Sequence, residues 1–268
     1  MIPVLSSIIS FFDEIAPPGL TEAWDNSGLQ LGDASREIHN ILITLDPSAE
    51  AVKKVSEMGH GRLIITHHPL IFKPLKRLDL SVWSNRLIEA AVKNDVSVIS
   101  VHTNFDAAKE GISHIIADVL GLEKTVPLIK SGNDGEGLGR LGVMPHPMIL
   151  KDFVLKIKKT FSLERVGFVG SEDKIISKVA VVGGSGGSLI YEAVANEADV
   201  FVSGDLGYHH VCEALESGMA LVDAGHYRME CMAFRVFSEK FRNRCKQLNW
   251  NVNVLWHERK EIDIINYI

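Results

Sequence analysis

The amino-acid sequence predicts an α/β fold in which two similar lobes each carry a largely parallel sheet. These observations carry that prediction. Short apolar runs of strand length alternate with helix-period segments. Many of these runs end on histidine or aspartate, and the pattern of the first half returns in the second half at a constant offset. The runs lack polar alternation, as strands buried on both faces of a parallel sheet do.

The elements follow in order. Met1 to Pro18 places Val4, Leu5, Ile8, Ile9, Phe12 and Ile15 at helical spacing with no basic segment ahead of them, so an amphipathic helix is expected and not a signal peptide. Pro17-Pro18-Gly19 breaks the chain, and Trp24-Asp25-Asn26-Ser27-Gly28 reads as a turn into a short strand. Ile41 to Leu45 is a strand ending in Asp46, followed by a helix through Val52, Val55 and Met58. Leu63 to Thr66 is a strand running into His67-His68-Pro69. Ser84 to Lys93 is helical, and Val96 to Val101 is a strand running into His102-Thr103-Asn104-Phe105-Asp106.

Five glycines between Ser131 and Gly142 interrupt the periodicity and mark an expected crossing between lobes 1–130 and 131–268. The organisation then restarts. Ile149 to Phe161 is a helix, Val166 to Val169 and Val179 to Val182 are strands, and a glycine-rich loop, Gly183 to Ser188, precedes a helix through Ile190 and Val194. Asp199 to Ser203 is a strand ending in Gly204-Asp205. A helix from His209 to Ser217 and a strand from Met219 to Val222 lead to His226.

Asn40 to His67 lies over Lys178 to Asp205 without a gap, pairing Asp46 with Gly184 and His67 with Asp205. Each copy continues to one more strand, after which His102-x-x-x-Asp106 stands in the first and His226-x-x-x-Glu230 in the second. Both sheets thus offer polar groups at the C-terminal ends of their strands, where α/β folds place ligands, and a site between the lobes is expected.

His226 and Glu230 begin a stripe that continues through Phe234, Phe237, Phe241, Cys245 and Leu248, the apolar face of an amphipathic helix, the last of the chain, which is expected to pack across both lobes. Glu230 therefore points inward, where a carboxylate without a cation, hydrogen bond or metal costs roughly several kcal/mol. His67, His68, Asp106, His226 and Glu230 together offer three imidazoles and two carboxylates without sulfur, a nitrogen and oxygen set suited to zinc, iron, manganese or cobalt. Adjacent strand residues face opposite ways, so His67 and His68 serve one site only if the chain is already turning; otherwise they bind two cations. His102, His209 and Asp46, with His210 and Asp205, are candidates for catalytic proton movement and for orienting ligands.

Composition narrows the function. With 46% hydrophobic side chains in 268 residues the chain can bury one large core or two smaller ones. Three cysteines, Cys212, Cys231 and Cys245, form no CxxC, so neither a disulfide framework nor a thiolate zinc site is expected and the cytoplasm is the expected compartment. A formal charge of −6 gives no general attraction to nucleic acid or anionic lipid, so a bound nucleotide would be held locally. Gly183 to Ser188 fits no phosphate-loop template, because Leu189 stands where G-x-G-x-x-G needs glycine and no Lys-Ser or Lys-Thr follows. A tight turn at a helix start is expected there.

Trp24-Asp25-Asn26-Ser27-Gly28-Leu29-Gln30, Thr66-His67-His68-Pro69, His102-Thr103-Asn104-Phe105-Asp106, Ser203-Gly204-Asp205 and Gly225-His226-Tyr227-x-x-Glu230 resemble, in order, the motifs of the NGG-interacting-factor-like dinuclear metal family, also named GTP cyclohydrolase I type 2 homologues. The resemblance runs over nearly the whole chain and fits the short form, without an inserted domain. It implies intertwined α/β lobes with mostly parallel, mixed sheets and two divalent metal ions per chain, zinc, iron or manganese. It places the ligands at His67, His68, Asp106, His226 and Glu230, with Glu230 bridging, and implies a toroidal homohexamer. It further implies a small-molecule substrate, a purine nucleotide whose ring is opened by metal-activated water. The alternative class is a non-catalytic metal-holding or partner-binding ring.

Overall fold

The computed structural model describes residues 1–259. In chain order the first stretch holds α1 (Leu5–Ile15), β1 (Gly28–Leu31), β2 (Asn40–Thr44), α2 (Ala49–Ser56), β3 (Arg62–Thr66), α3 (Trp83–Lys93), β4 (Val96–Ser100) and α4 (Thr103–Ala107). There follow α5 (Ile112–Val119), β5 (Glu123–Val126), β6 (Ile129–Lys130), β7 (Gly137–Leu138), β8 (Arg140–Ile149), α6 (Leu150–Thr160), β9 (Gly167–Val169), β10 (Ile175–Ser185), α7 (Ile190–Ala195), β11 (Val200–Gly204), α8 (Tyr208–Ser217) and β12 (Ala220–Asp223). The long helix α9 (His226–Gln247) and β13 (Asn253–Trp256) close the described chain.

The chain divides into two units, one formed by Met1–Phe105 and the chain from Phe234 onward, the other by Asp106–Ala233. In the first unit the sheet order is β1-β4-β3-β2-β13. Strands β2, β3, β4 and β13 are parallel and β1 is antiparallel at the edge. All five residues of β2 are buried, as a central parallel strand requires, and Ile41 and Ile43 each contribute roughly 1.5–3 kcal/mol of apolar burial. Ser48 caps α2 by accepting from the Ala51 N–H at 3.1 Å, and the helix lays Ala51, Val52 and Val55 against Leu42 and Ile64. On α1, Phe11 packs tilted against Phe241 of α9, and Phe12 stacks on Phe241 and packs tilted against Phe237, the aromatic part of the stripe expected from sequence.

In the second unit the order is β5-β8-β10-β11-β12-β9, with β10, β11 and β12 parallel and the others antiparallel. Its core gathers Ala180, Ile190, Phe201, Ala214 and Leu221 between strands and helices. Pro145 and Pro147 sit in β8 where its pairing with β10 slips, between the pairs Met148↔Ile176 and Val143↔Lys178, so their missing N–H groups fall at a bulge. The 138-residue offset of the sequence overlay (178 − 40) carries β3 onto β11 residue for residue.

The units part elsewhere than at residue 130. The chain leaves the first unit within α4 and returns within α9. The glycine-rich stretch 131–142 lies wholly in the second unit, as the β6–β7 hairpin and the start of β8. Hydrogen bonding sets these limits: β5 joins β8, and β13 at the far end of the chain adds to β2. Among the described residues no helix is long and apolar enough to cross a membrane.

Candidate metal centre

Three parallel strands of the first unit deliver the first cluster. β2 ends before Leu45-Asp46, β3 before His67-His68, and β4 before Val101-His102. The Leu45 carbonyl accepts from both the His67 and the His68 N–H, each at 3.1 Å, so the chain turns at once after β3. That turn answers the question of side-chain direction. The two rings lie side by side with centroids 5.1 Å apart, and the His102 ring stands 5.1 Å from that of His67 and 5.5 Å from that of His68. One ring nitrogen from each of the three lies within 4.8 Å of the others.

Each ring is held through Nδ1. His67 Nδ1 donates to the Val101 carbonyl at 2.8 Å; His68 Nδ1 pairs with Asp46 Oδ1 and His102 Nδ1 with Asp25 Oδ1, both at 2.7 Å. A carbonyl only accepts, so the His67 proton sits on Nδ1 and Nε2 carries the lone pair. Burial lowers the His102 pKa, and the neighbouring His67 lowers it further; against the pull of Asp25 they bring it to about 4. His102 is therefore neutral at physiological pH.

Asp25, read from sequence as turn chemistry, has a larger part. Its Oδ2 accepts from Thr103 Oγ1 at 2.6 Å, Ser27 Oγ at 2.9 Å and the Thr103 N–H at 3.2 Å, while Oδ1 holds His102. Burial pushes this carboxyl up, but the hydrogen bonds from Thr103 and His102 and the His102 charge outweigh it and hold the pKa at about 2. No local spacing signals this role, because the partner lies 77 residues away.

The second unit builds its own cluster from β11, β12 and α9. β11 runs into Asp205, whose φ of 55° is a left-handed conformation rare outside glycine, and β12 leads through Gly225 to His226 at the first position of α9. His226 Nδ1 pairs with Asp205 Oδ2 at 2.7 Å, and Nε2 lies 3.0 Å from Oε2 of Glu230, one turn along the helix. Glu230 is 3% exposed. Burial alone would lower the His226 pKa, but the hydrogen bond and charge of Glu230, then those of Asp205, outweigh it and raise the value to about 9.

The glycine-rich loop has a steric purpose here. A Cβ on Gly184, at φ +70°, would lie 2.2 Å from Glu230 Oε1, and one on Gly204 would lie 2.2 Å from the His226 N. Backbone passes under the carboxylate where no side chain fits. Asp106 stands on α4. His210 accepts from the Gly207 N–H through Nδ1 at 3.1 Å and fills the space beside Gly187. His209 is exposed on α8, its ring 5.5 Å from that of Tyr208, and no hydrogen bond or ion pair joins it to either cluster among the described residues.

The donor chemistry fits a cation. Imidazoles whose Nδ1 is anchored on a carboxylate or carbonyl present Nε2 as a ligand, the arrangement usual behind metal-binding histidines. Glu230, a buried carboxylate 3.0 Å from His226 Nε2, supplies the negative charge that a hard or borderline divalent ion requires.

Fold and clusters together define a mixed α/β protein whose histidine and glutamate clusters could bind metal ions. The chain belongs to the Duf34/NIF3 (NGG1p interacting factor 3) family, whose model matches residues 3–261. A Clostridium perfringens protein named GTP cyclohydrolase 1 type 2 homolog is 34% identical over 241 residues, covering 90% of this chain and 92% of that one. The crystal structure of the Staphylococcus aureus hypothetical protein SA1388 superposes with a TM-score of 0.89 at 28% identity, covering 99% of both chains. Reduced HcgD from Methanocaldococcus jannaschii superposes at 0.78 with 30% identity, covering 96% of this chain and 98% of that one.

Proposed function

We propose that the chain is a dinuclear metal-dependent hydrolase of the GTP cyclohydrolase type, opening the ring of a purine nucleotide with water. His67, His68, Asp106, His226 and Glu230 are the residues that would hold two divalent ions, zinc, iron or manganese. The observation that supports this most is the set of anchored imidazoles: Asp46 on His68, Val101 on His67 and Asp205 on His226 each take Nδ1. The names carried by relatives at up to 34% identity point to the same chemistry.

Two bound ions supply Lewis-acid activation of water and charge neutralisation. The chain's own residues orient and move protons. Asp46 and Asp205 fix ring orientation. His102, neutral and tied to Asp25 through Nδ1, offers Nε2 as a proton acceptor next to His67 and His68. His209 is a candidate on the substrate side, being exposed.

Turnover of GTP by the metal-loaded chain, abolished in His67→Ala, is the expected result. Full metal occupancy with no turnover of GTP or other purine nucleotides would leave the metal site standing and remove the hydrolase. We also propose that the chain forms a homohexameric ring, a reading supported by the exposed apolar residues Leu75, Leu78, Leu80, Val82 and Trp83. Light scattering that finds only a 29.6 kDa species at micromolar concentration would refute it.

A further inference from the structure

We infer that Trp24 and Phe72 form a stacking platform for the planar heterocycle of a nucleotide, beside His102. Trp24 is 59% and Phe72 43% exposed, although large aromatic side chains ordinarily bury most of their area. Their rings lie 5.9 Å apart, tilted by 56°, and both meet the His102 ring edge-on, at 6.1 Å for Trp24 and 6.4 Å for Phe72. Two exposed aromatic faces thus adjoin the polar cluster.

The pair is pre-set. Asp25, next to Trp24, is held by His102, Thr103 and Ser27. Asn26 donates through Nδ2 to the Ile71 carbonyl, and Gln30 Oε1 accepts from the Ile71 N–H at 3.1 Å. Residues flanking both aromatics are therefore tied to each other across 45 positions of sequence, and little ordering remains to oppose binding. Such rigidity around exposed rings suits a ligand that stacks, since every base offers a π face.

Charge favours a nucleotide over an uncharged heterocycle. Phe72 is followed by Lys73, Lys76 and Arg77, three exposed cations within five residues of a chain that is acidic as a whole. None of the three enters an ion pair among the described residues. The inference rests on the hydrolase reading only in taking His102 to stand near the reacting ring.

Calorimetric titration of the metal-loaded full chain with GTP, guanosine, adenosine and tripolyphosphate tests it. Trp24→Ala and Phe72→Ala should each weaken guanosine and GTP by about tenfold, Trp24→Phe should restore most of the affinity, and tripolyphosphate should bind all variants alike. Metal content should be unchanged in every variant. Guanosine and adenosine that fail to bind the wild type, or bind Trp24→Ala and Phe72→Ala as tightly as the wild type, would overturn the platform. So would variants that change the number of subunits while leaving base affinity intact, because the aromatics would then be a contact between chains. The two readings separate cleanly. Base affinity lost in the variants with no GTP opening by the wild type keeps the platform and removes the hydrolase; GTP opening with an unchanged KM in the variants does the reverse.

Discussion

At the scale of single residues, Glu230 concentrates the chemistry. It is buried, it faces His226 one turn away, and the backbone at Gly184 leaves it room. Glu230→Gln keeps the volume and removes the charge, so the variant should keep its far-UV circular dichroism and lose metal affinity by at least about tenfold. Elemental analysis after dialysis reads the difference, and full occupancy would reduce Glu230 to a structural partner. His226 supplies a second test. Its pKa is about 9 in the folded, metal-free chain against about 6.5 in an unfolded one. A raised pKa means that the folded state binds the proton more tightly, so the contribution is complete below about pH 6.5 and lost as pH rises through about 9. The Tm of chelator-treated protein should fall across that window. Metal-loaded protein should not show the fall, because a cation on the imidazole excludes the proton.

At the scale of elements, the polar anchor of the second unit is Arg140 at the start of β8. Arg140 is 2% exposed, and its guanidinium donates to the carbonyls of Gly137, Gly139 and Ala108 at 2.7 Å, Lys109 at 3.0 Å and Gly135 at 3.2 Å. Burial lowers its pKa to about 10, which still leaves it charged at neutral pH. It ties the β6–β7 hairpin to the segment that follows α4. Arg140→Met should destabilise the protein by about 3 kcal/mol in chemical denaturation, since five carbonyl acceptors, three of them in buried hydrogen bonds, lose their donor. Lysine should not rescue it, because an ammonium has three donors on a point and no planar fork.

At the scale of the whole molecule, the two units each carry strands that end in histidine or acidic residues, at the 138-residue offset that joins β3 to β11. The five proposed nitrogen and oxygen ligands exceed what one tetrahedral ion uses, so metal-saturated protein should contain about two ions per chain. Elemental analysis giving a value near one would sink the dinuclear proposal. Binding to the folded state alone also raises stability by mass action, so the Tm should rise with free metal concentration and return on chelation.

The sequence by itself determined the local order: apolar runs of strand length, helix-period segments between them, and the His226 to Cys245 stripe, all set by side chains within one or two turns. It also placed His67, His102 and Asp205 just past strand ends, where α/β proteins tolerate and use polar groups. The antiparallel strand β8 and the parallel edge strand β13 were not legible, since β8 carries two prolines and β13 follows a long helix, and their partners are chosen by hydrogen bonds to distant strands. Nor could sequence decide whether His67 and His68 face one site. That depends on the Leu45 carbonyl, 22 residues before His67, which accepts from both N–H groups and turns the chain. Asp25 on His102, Trp24 beside Phe72 and the five carbonyls around Arg140 share this property. Each is a pairing between residues whose own neighbourhoods carry no sign of it, and only folding, which brings distant backbone within hydrogen-bond reach, selects it.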